Sequence, residues 1–356
     1  MLDLIQKLIS CKPVTADVPS VNKAVAVMKA FLDANGIPNV VEKGTKDGRD
    51  ILFACSRPGK AHKVLLNAHL DVVPVISEDQ WTLKQEGNIV YGRGTSDCEC
   101  NAVAMAQVLI NVRDKADVCA VFTTDEENGG STTRDMVDYG YVPTELGIII
   151  DGSNIPNIAV AQKGIQVVKL IARGHGGHSS MPWAFDNPID KLLDGYAKLK
   201  AAWKNPTEND QWHDTMAPCM VTSGFANNQI PDVAEMVLNF RFIEPGGGAR
   251  IIQMVKDITG LEVEPYRDCP PMVSDPQVPA IQKLKNALEA AMPGRKTNFV
   301  YMNGATDARH MAHLGVPIAI TGFGGGGAHS AKEWLEVDLL NTGIKCMTDF
   351  VLDFAG

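Results

Sequence analysis

Apolar and polar positions along the first 160 residues fall into two alternating patterns. Runs such as "KVLLNAHLDVV", "VCAVFTT" and "LGIIID" are almost continuously apolar, as strands buried on both faces are. Between them, "VNKAVAVMKAFLDANG" and "NAVAMAQVLINVRD" repeat apolar residues at helical spacing, and Gly36 closes the first. The opening "MLDLIQKLISCK" puts Leu2, Ile5, Leu8 and Ile9 on one helix face. Strands alternating with helices predict an α/β fold, three layers around a mostly parallel sheet.

The rhythm changes near residue 164. "IQVVKLIARG" reads as a strand, "NPIDKLLDGYAKLKAAW" as a helix, and "DVAEMVLNFRF" as an alternating, half-buried strand. A helix at about 248–259 and the strand "LEVEPYR" follow, and "RDCPPMVSD" reads as the linker out. The β-α-β-β-α-β order predicts a ferredoxin-like α+β domain at 164–270, inserted into an α/β domain made by 1–163 and 271–356. The end returns to α/β, with helix "PAIQKLKNALEAAM", strand "VPIAIT", a glycine loop and helix "LLNTGIKCMTDFVLDFA".

Composition narrows the function more than the fold. The chain of 356 residues is 45% hydrophobic and 21% charged, so a large core forms without disulfide staples. A formal net charge of −9 argues against nucleic acid as a partner. No stretch approaches the ~18 apolar residues of a membrane helix, and the first residues lack an export signal's layout. Eight cysteines at irregular spacings, with no CxxC pair, predict reduced thiols in a cytoplasmic protein. A small-molecule enzyme fits these limits.

The candidate chemistry sits where predicted strands end. His69 and Asp71 in "NAHLDVVP" share one face by period two, and an Asp beside a ligand His accepts its second ring N–H. An HxD pair that only hydrogen-bonds in the core is the bland alternative. "FTTDEENGG" ends another strand with consecutive carboxylates, of which Glu126 and Glu127 point in different directions. One could ligate a metal while the other takes a proton from water, or the run could be a solvated acidic turn. Asp151 ends "IIID", and His329 follows a glycine run that lacks the GxGxxG layout of a dinucleotide loop. In "GRGTSDCEC", Cys98 or Cys100 could be a thiolate nucleophile or a soft metal ligand, or Asp97 could be a hard metal ligand with the cysteines as bystanders. Taken together, two histidines and several carboxylates suit a pair of zinc-like ions, which lie roughly 3.5–4 Å apart and share a bridging carboxylate.

The motifs "AHLDVVP", "W…GNIVYGRGTSD", "TTDEENGG", "IIDGSN", "GHGGHSSMP", "NNQIPD…NFRF", "GATDAR" and "GGGGAHSAKEW" occur in that order nearly end to end. In this the chain resembles the co-catalytic zinc family of acetylornithine deacetylase, succinyl-diaminopimelate desuccinylase, aminoacylase, carboxypeptidase G and related dipeptidases. The resemblance implies that His69 and Asp151 hold one metal, Glu127 and His329 the other, and that Asp97 bridges them. It implies that Asp71 orients His69 and that Glu126 is the general base. It makes the inserted domain a lid and dimerisation domain, with His178 reaching the partner's active site as an oxyanion donor, His175 a competitor for that role and a plain loop hydrogen bond the bland alternative. Arg241 and Asn228 match residues that bind a substrate carboxylate, with a structural salt bridge the alternative for Arg241, while Asp307 and Arg309 in "GATDAR" could do no more than brace the glycine loop.

The resemblance thus implies a homodimeric hydrolase of dipeptides or N-acyl amino acids carrying two divalent ions, zinc first, cobalt or manganese otherwise. Aspartate at 151 tilts the substrate towards peptides. One departure stands out. Where the family continues with Met-Lys-Gly-Gly after the bridging aspartate, this chain has Cys98, Glu99, Cys100 and Asn101. A cysteine-nucleophile hydrolase and a non-catalytic binding protein of the same fold are the alternatives.

Overall fold

Four of the apolar runs become the parallel centre of a nine-stranded sheet in the computed structural model, which describes residues 1–356 with the side chain of Ser153 excepted. Across the sheet they are Val118–Thr123, Ala61–His69, Val142–Asn154 and Ile318–Gly322, each parallel to the next. Antiparallel strands Asp50–Cys55 and Asn39–Lys43 extend the sheet beyond Val118–Thr123. Parallel strands end on a common side, so the carboxyl ends of these four open together. In open α/β sheets that side is where ligands bind.

Helix Glu99–Val112 shows why its sequence carries no polar face. Cys100, Ala102, Val103, Ala104, Met105, Ala106, Val108, Leu109 and Val112 are all buried, against the sheet and the last helix, Val337–Ala355. Each of the Val, Leu and Met side chains among them contributes roughly 1.5–3 kcal/mol on burial. The opening helix Leu2–Ile9 buries Leu4, Ile5, Leu8 and Ile9, with Leu2 packed partly against the same core. Asp17 caps helix Val18–Ala34 by accepting the Ser20 amide at 3.2 Å. Gly36, at φ +68°, turns the chain just after its end.

The chain packs as two compact units, one of 1–161, 273–301 and 306–356, the other of 162–272 and 302–305. The breaks fall slightly outside the 164 and 270 expected, and 302–305 joins the second unit. That unit is a four-stranded antiparallel sheet in the order Thr215–Ser223, Val233–Phe242, Gly164–Arg173, Glu262–Cys269. The residues read as a linker therefore begin inside its last strand. Alternate residues of Val233–Phe242 are buried, with Leu192, Leu199, Ile251 and Val255 of helices Pro188–Ala202 and Gly247–Thr259 in the same core.

The expectation of eight reduced thiols is corrected at one pair. Cys55 and Cys119 face each other across antiparallel strands, 4.0 Å apart at Cα, and are joined as a disulfide. Among the described residues Cys11, Cys98, Cys100, Cys219 and Cys346 carry free thiols. Among the described residues no helix is long and apolar enough to cross a membrane.

Candidate metal centre

His69 is the last residue of its strand and is buried. Its Nδ1 lies 2.8 Å from the main-chain oxygen of Asp71. A carbonyl only accepts, so Nδ1 donates, and Nε2 is the nitrogen that can present a lone pair once its proton is displaced. The role expected of Asp71 changes accordingly. Its carboxylate stands 3.5 Å from the ring. It accepts instead from the Thr15 hydroxyl at 2.7 Å and from the amides of Glu126 and Glu127 at 3.2 and 3.4 Å. Asp71 thus ties the histidine through its carbonyl and the Glu126–Glu127 turn through its carboxylate.

Asp97 sits on the loop before helix Glu99–Val112. Buried Glu333 holds that loop by accepting the Ser96 and Asp97 amides at 2.8 and 2.9 Å, and pairs with buried Arg93 at 2.6 Å. The two oxygens of Asp97 face opposite ways. Oδ1 is 3.0 Å from Nε2 of His69, and Oδ2 is 3.2 Å from Nε2 of His329. Glu127 Oε1 also approaches His329 Nε2, at 3.0 Å, and Asp151 Oδ2 lies 3.9 Å from His69 Nε2. Donor atoms of Asp97, Glu127 and His329 fall within 4.8 Å of one another, and so do those of His69, Asp151 and Cys98. His329 adopts φ +62°, a left-handed conformation uncommon for any residue but glycine.

Glu126 lies beside Glu127 in the short turn Glu126–Asn128. Arg309 Nη1 donates to Glu126 Oε1 at 3.0 Å, and Nη2 reaches the Glu126 carbonyl at 3.4 Å. Asp307 accepts from the Thr123 hydroxyl at 2.8 Å. "GATDAR" therefore braces the Glu126 turn, which corrects its assignment to the glycine loop. Gly130, at φ +65°, makes that packing possible, because a Cβ there would come 2.3 Å from Asp307 and 3.0 Å from Arg309.

The electrostatics are those of carboxylates crowded out of water. Burial pushes Glu126 up to about 8 against the pull of Arg309, and Glu127 up to about 7 against the pull of His69. Burial and the neighbouring Asp97 raise Asp151. Asp97 goes the other way: burial opposes its charge, but hydrogen bonds from His329 and His69 hold it below the usual range. The bond to Asp97 in turn raises His329 to about 9. Protons on the two histidines satisfy this cluster, and divalent cations in their place satisfy it better, since they serve the remaining carboxylate oxygens too. Hard oxygens with two imidazole nitrogens fit a pair of such ions.

The "CEC" segment is wholly interior. Cys98 and Cys100 are buried, and burial pushes Cys98 up to about 12 and raises Cys100 further from ionisation. Thiols kept protonated are poor nucleophiles, so nothing here favours cysteine catalysis. Asn101, where a family glycine would stand, joins two loops by donating to the Ser96 carbonyl at 3.1 Å and accepting the Phe323 amide at 3.0 Å. The Glu99 carboxylate is buried with no hydrogen-bond partner among the described residues, packed on Gly94.

The remaining candidates lie in the second unit. His178 is exposed and takes the Ser180 hydroxyl at 2.8 Å on Nδ1. The Asn228 carbonyl accepts the Ser179 amide at 3.0 Å. Arg241 lines a pocket of about 280 Å³ with Lys163, Gln211, Thr215 and Asn303. Sequence reasoning passed over Glu333 and Arg93, although "AKEW" stood inside a quoted motif, and missed Thr15, which carries no signal in sequence.

Residues 65–353 match the peptidase family M20/M25/M40. The chain belongs to this family. A probable succinyl-diaminopimelate desuccinylase of Staphylococcus aureus strain MRSA252 is 27% identical over 326 residues, 77% of this chain and 79% of that protein. The fold is that of a tripeptidase from Staphylococcus aureus Mu50, with a TM-score of 0.81 at 16% identity over 99% of this chain and 97% of the other. It is also that of YXEP from Bacillus subtilis, a dinuclear metal binding peptidase, with a TM-score of 0.68 at 14% identity over 92% and 90%. The chain is accordingly a metal-dependent amidohydrolase, a hydrolase of peptide or acyl-amino-acid amide bonds.

Proposed function

We propose that this M20 enzyme is a two-metal hydrolase releasing a free amino acid from a dipeptide or an N-acyl amino acid. The observation that carries the reading is the split carboxylate of Asp97, one oxygen towards His69 and one towards His329. On this reading His69 and Asp151 would hold one cation and Glu127 and His329 the other, with Asp97 available to both through its two oxygens. Two such ions, zinc first among them, supply Lewis-acid polarisation of the scissile carbonyl and ease ionisation of the attacking water. Glu126 takes the water's proton. Its Oε1 is held by Arg309, which leaves Oε2 as the basic atom, and the same oxygen then delivers the proton to the leaving nitrogen. Asp71 fixes the donor tautomer of His69 and the position of the Glu126 turn together.

Arg241 is our candidate for the substrate carboxylate, because a guanidinium pairs with a carboxylate through two parallel bonds, and Asn228 in the "NNQIP" segment is a second, separate candidate. The second unit is our candidate lid and dimerisation domain. Its edge strand Thr215–Ser223 exposes Met220 and Val221, each at 62%, and nearby Phe225 at 91%, apolar surface of the kind a partner covers. His178 would then serve the partner's active site as an oxyanion donor.

The test is a panel of dipeptides and of N-acetyl and N-succinyl amino acids on zinc-loaded protein, before and after thiol alkylation. Hydrolysis abolished by chelator and untouched by alkylation is expected. Activity that survives chelation and dies on alkylation would return the cysteine reading. Binding without turnover of any member would favour the non-catalytic one.

A further inference from the structure

The donor set gathered with His69 and Asp151 contains one atom that the family pattern does not supply, the sulfur of Cys98. All three residues are buried. Their ligand atoms lie within 4.8 Å of one another, as do the donors of Asp97, Glu127 and His329. Cys98 occupies the position where the resembled family carries methionine, and its neighbours explain why the side chain stays there. The helix it leads is buried nearly all round, and Asn101 fastens the first turn to Ser96 and Phe323. The sulfur lies 3.1 Å from the Ile150 carbonyl, next to Asp151 in the chain.

We infer that Cys98 Sγ is a third protein ligand of the cation held by His69 and Asp151, making that half of the centre a thiolate site selective for thiophilic divalent ions of the zinc and cobalt(II) class. This rests on the two-metal reading above and adds to it. The S–H bond breaks as the sulfur–metal bond forms, the proton passes to solvent, and no electron changes hands. A coordinating thiol loses its proton outright, so burial that keeps the free thiol protonated does not bar it as a ligand. Thiolate with imidazole suits zinc, whereas carboxylate and carbonyl oxygens alone suit magnesium and manganese. The other half of the centre, Asp97, Glu127 and His329, has no sulfur, so the two cations differ in kind of ligand.

The experiment is anaerobic loading of the chelator-treated full-length protein with cobalt(II), read by bound metal and by ultraviolet absorption. A sulfur-to-cobalt charge-transfer band is expected in the wild type, lost in Cys98→Ser and kept in Cys100→Ser. Zinc-loaded wild type read by X-ray absorption should show a sulfur at about 2.3 Å. Full loading with no thiolate band in the wild type would overturn the inference while leaving the two-metal reading intact. So would a band that persists in Cys98→Ser. Failure to bind cobalt at all would overturn both.

Discussion

Glu126 and Glu127 are adjacent in sequence yet are given different work by what touches them. Of the two glutamates, Arg309 meets Glu126 and His329 meets Glu127. Glu126→Gln should keep its metal content and lose about 10²–10⁴-fold in kcat, the usual worth of a general base. A wild-type rate would remove the assignment. Arg309 lowers the pKa of Glu126, and a base works only when ionised. Arg309→Met should therefore move the acidic limb of the kcat/KM profile to higher pH, with Arg309→Lys restoring part of the shift. Identical profiles would show that Arg309 is only packing. The glutamates themselves were legible in "DEEN" only together with the other strand-end residues, because an acidic run alone reads equally as a solvated turn. Arg309 was read with the wrong partner, since sequence order does not tell which strand-end turn a distant "TDAR" meets.

The loops that carry the ligands depend on buried braces. Glu333 has its carboxylate shared between Arg93 and two amides of the Asp97 loop. Glu333→Ala strands the Arg93 charge and frees the loop, at a cost of about 3–5 kcal/mol in urea unfolding. Metal affinity should fall with it. A variant with unchanged unfolding midpoint and metal content would contradict this. The centre also imposes a pH dependence on the metal-free protein. Glutamates ordinarily titrate near 4.5, but Glu127 and Glu126 reach about 7 and 8 in the fold. His329 rises from 6.5 to about 9. Between about pH 5 and 9 the folded chain thus holds protons that the unfolded chain has lost, so stability falls as pH rises. Asp97 has the opposite sign, but its window lies below 3.8. Cations replace these protons, so the gain in Tm on adding zinc should widen from pH 5 to pH 9. A constant gap would contradict the assignment of these groups to the metals. The strands and helices around the centre were readable because apolar runs and helical spacing report burial directly. The cross-strand Cys55–Cys119 pair was not, since facing positions depend on register.

The α/β unit and the ferredoxin-like order of the inserted one follow from the change of rhythm near residue 164. The pairing of strands Thr215–Ser223 and Glu262–Cys269 at opposite edges does not, because edge position is set by the packing of strands distant in sequence. If the exposed edge joins two copies, Val221→Lys should yield a monomer by light scattering and lose activity through His178. A wild type already monomeric and fully active would dismiss the dimer. The claim on which the rest depends is the pair of cations shared by Asp97. Chelator-treated protein titrated with zinc, with bound metal and hydrolysis of an N-succinyl amino acid or dipeptide followed together, tests it most directly. Hydrolysis absent without metal and complete at two ions per chain is the result expected. Full hydrolysis by metal-free protein, or saturation at a single ion, would contradict the two-metal account.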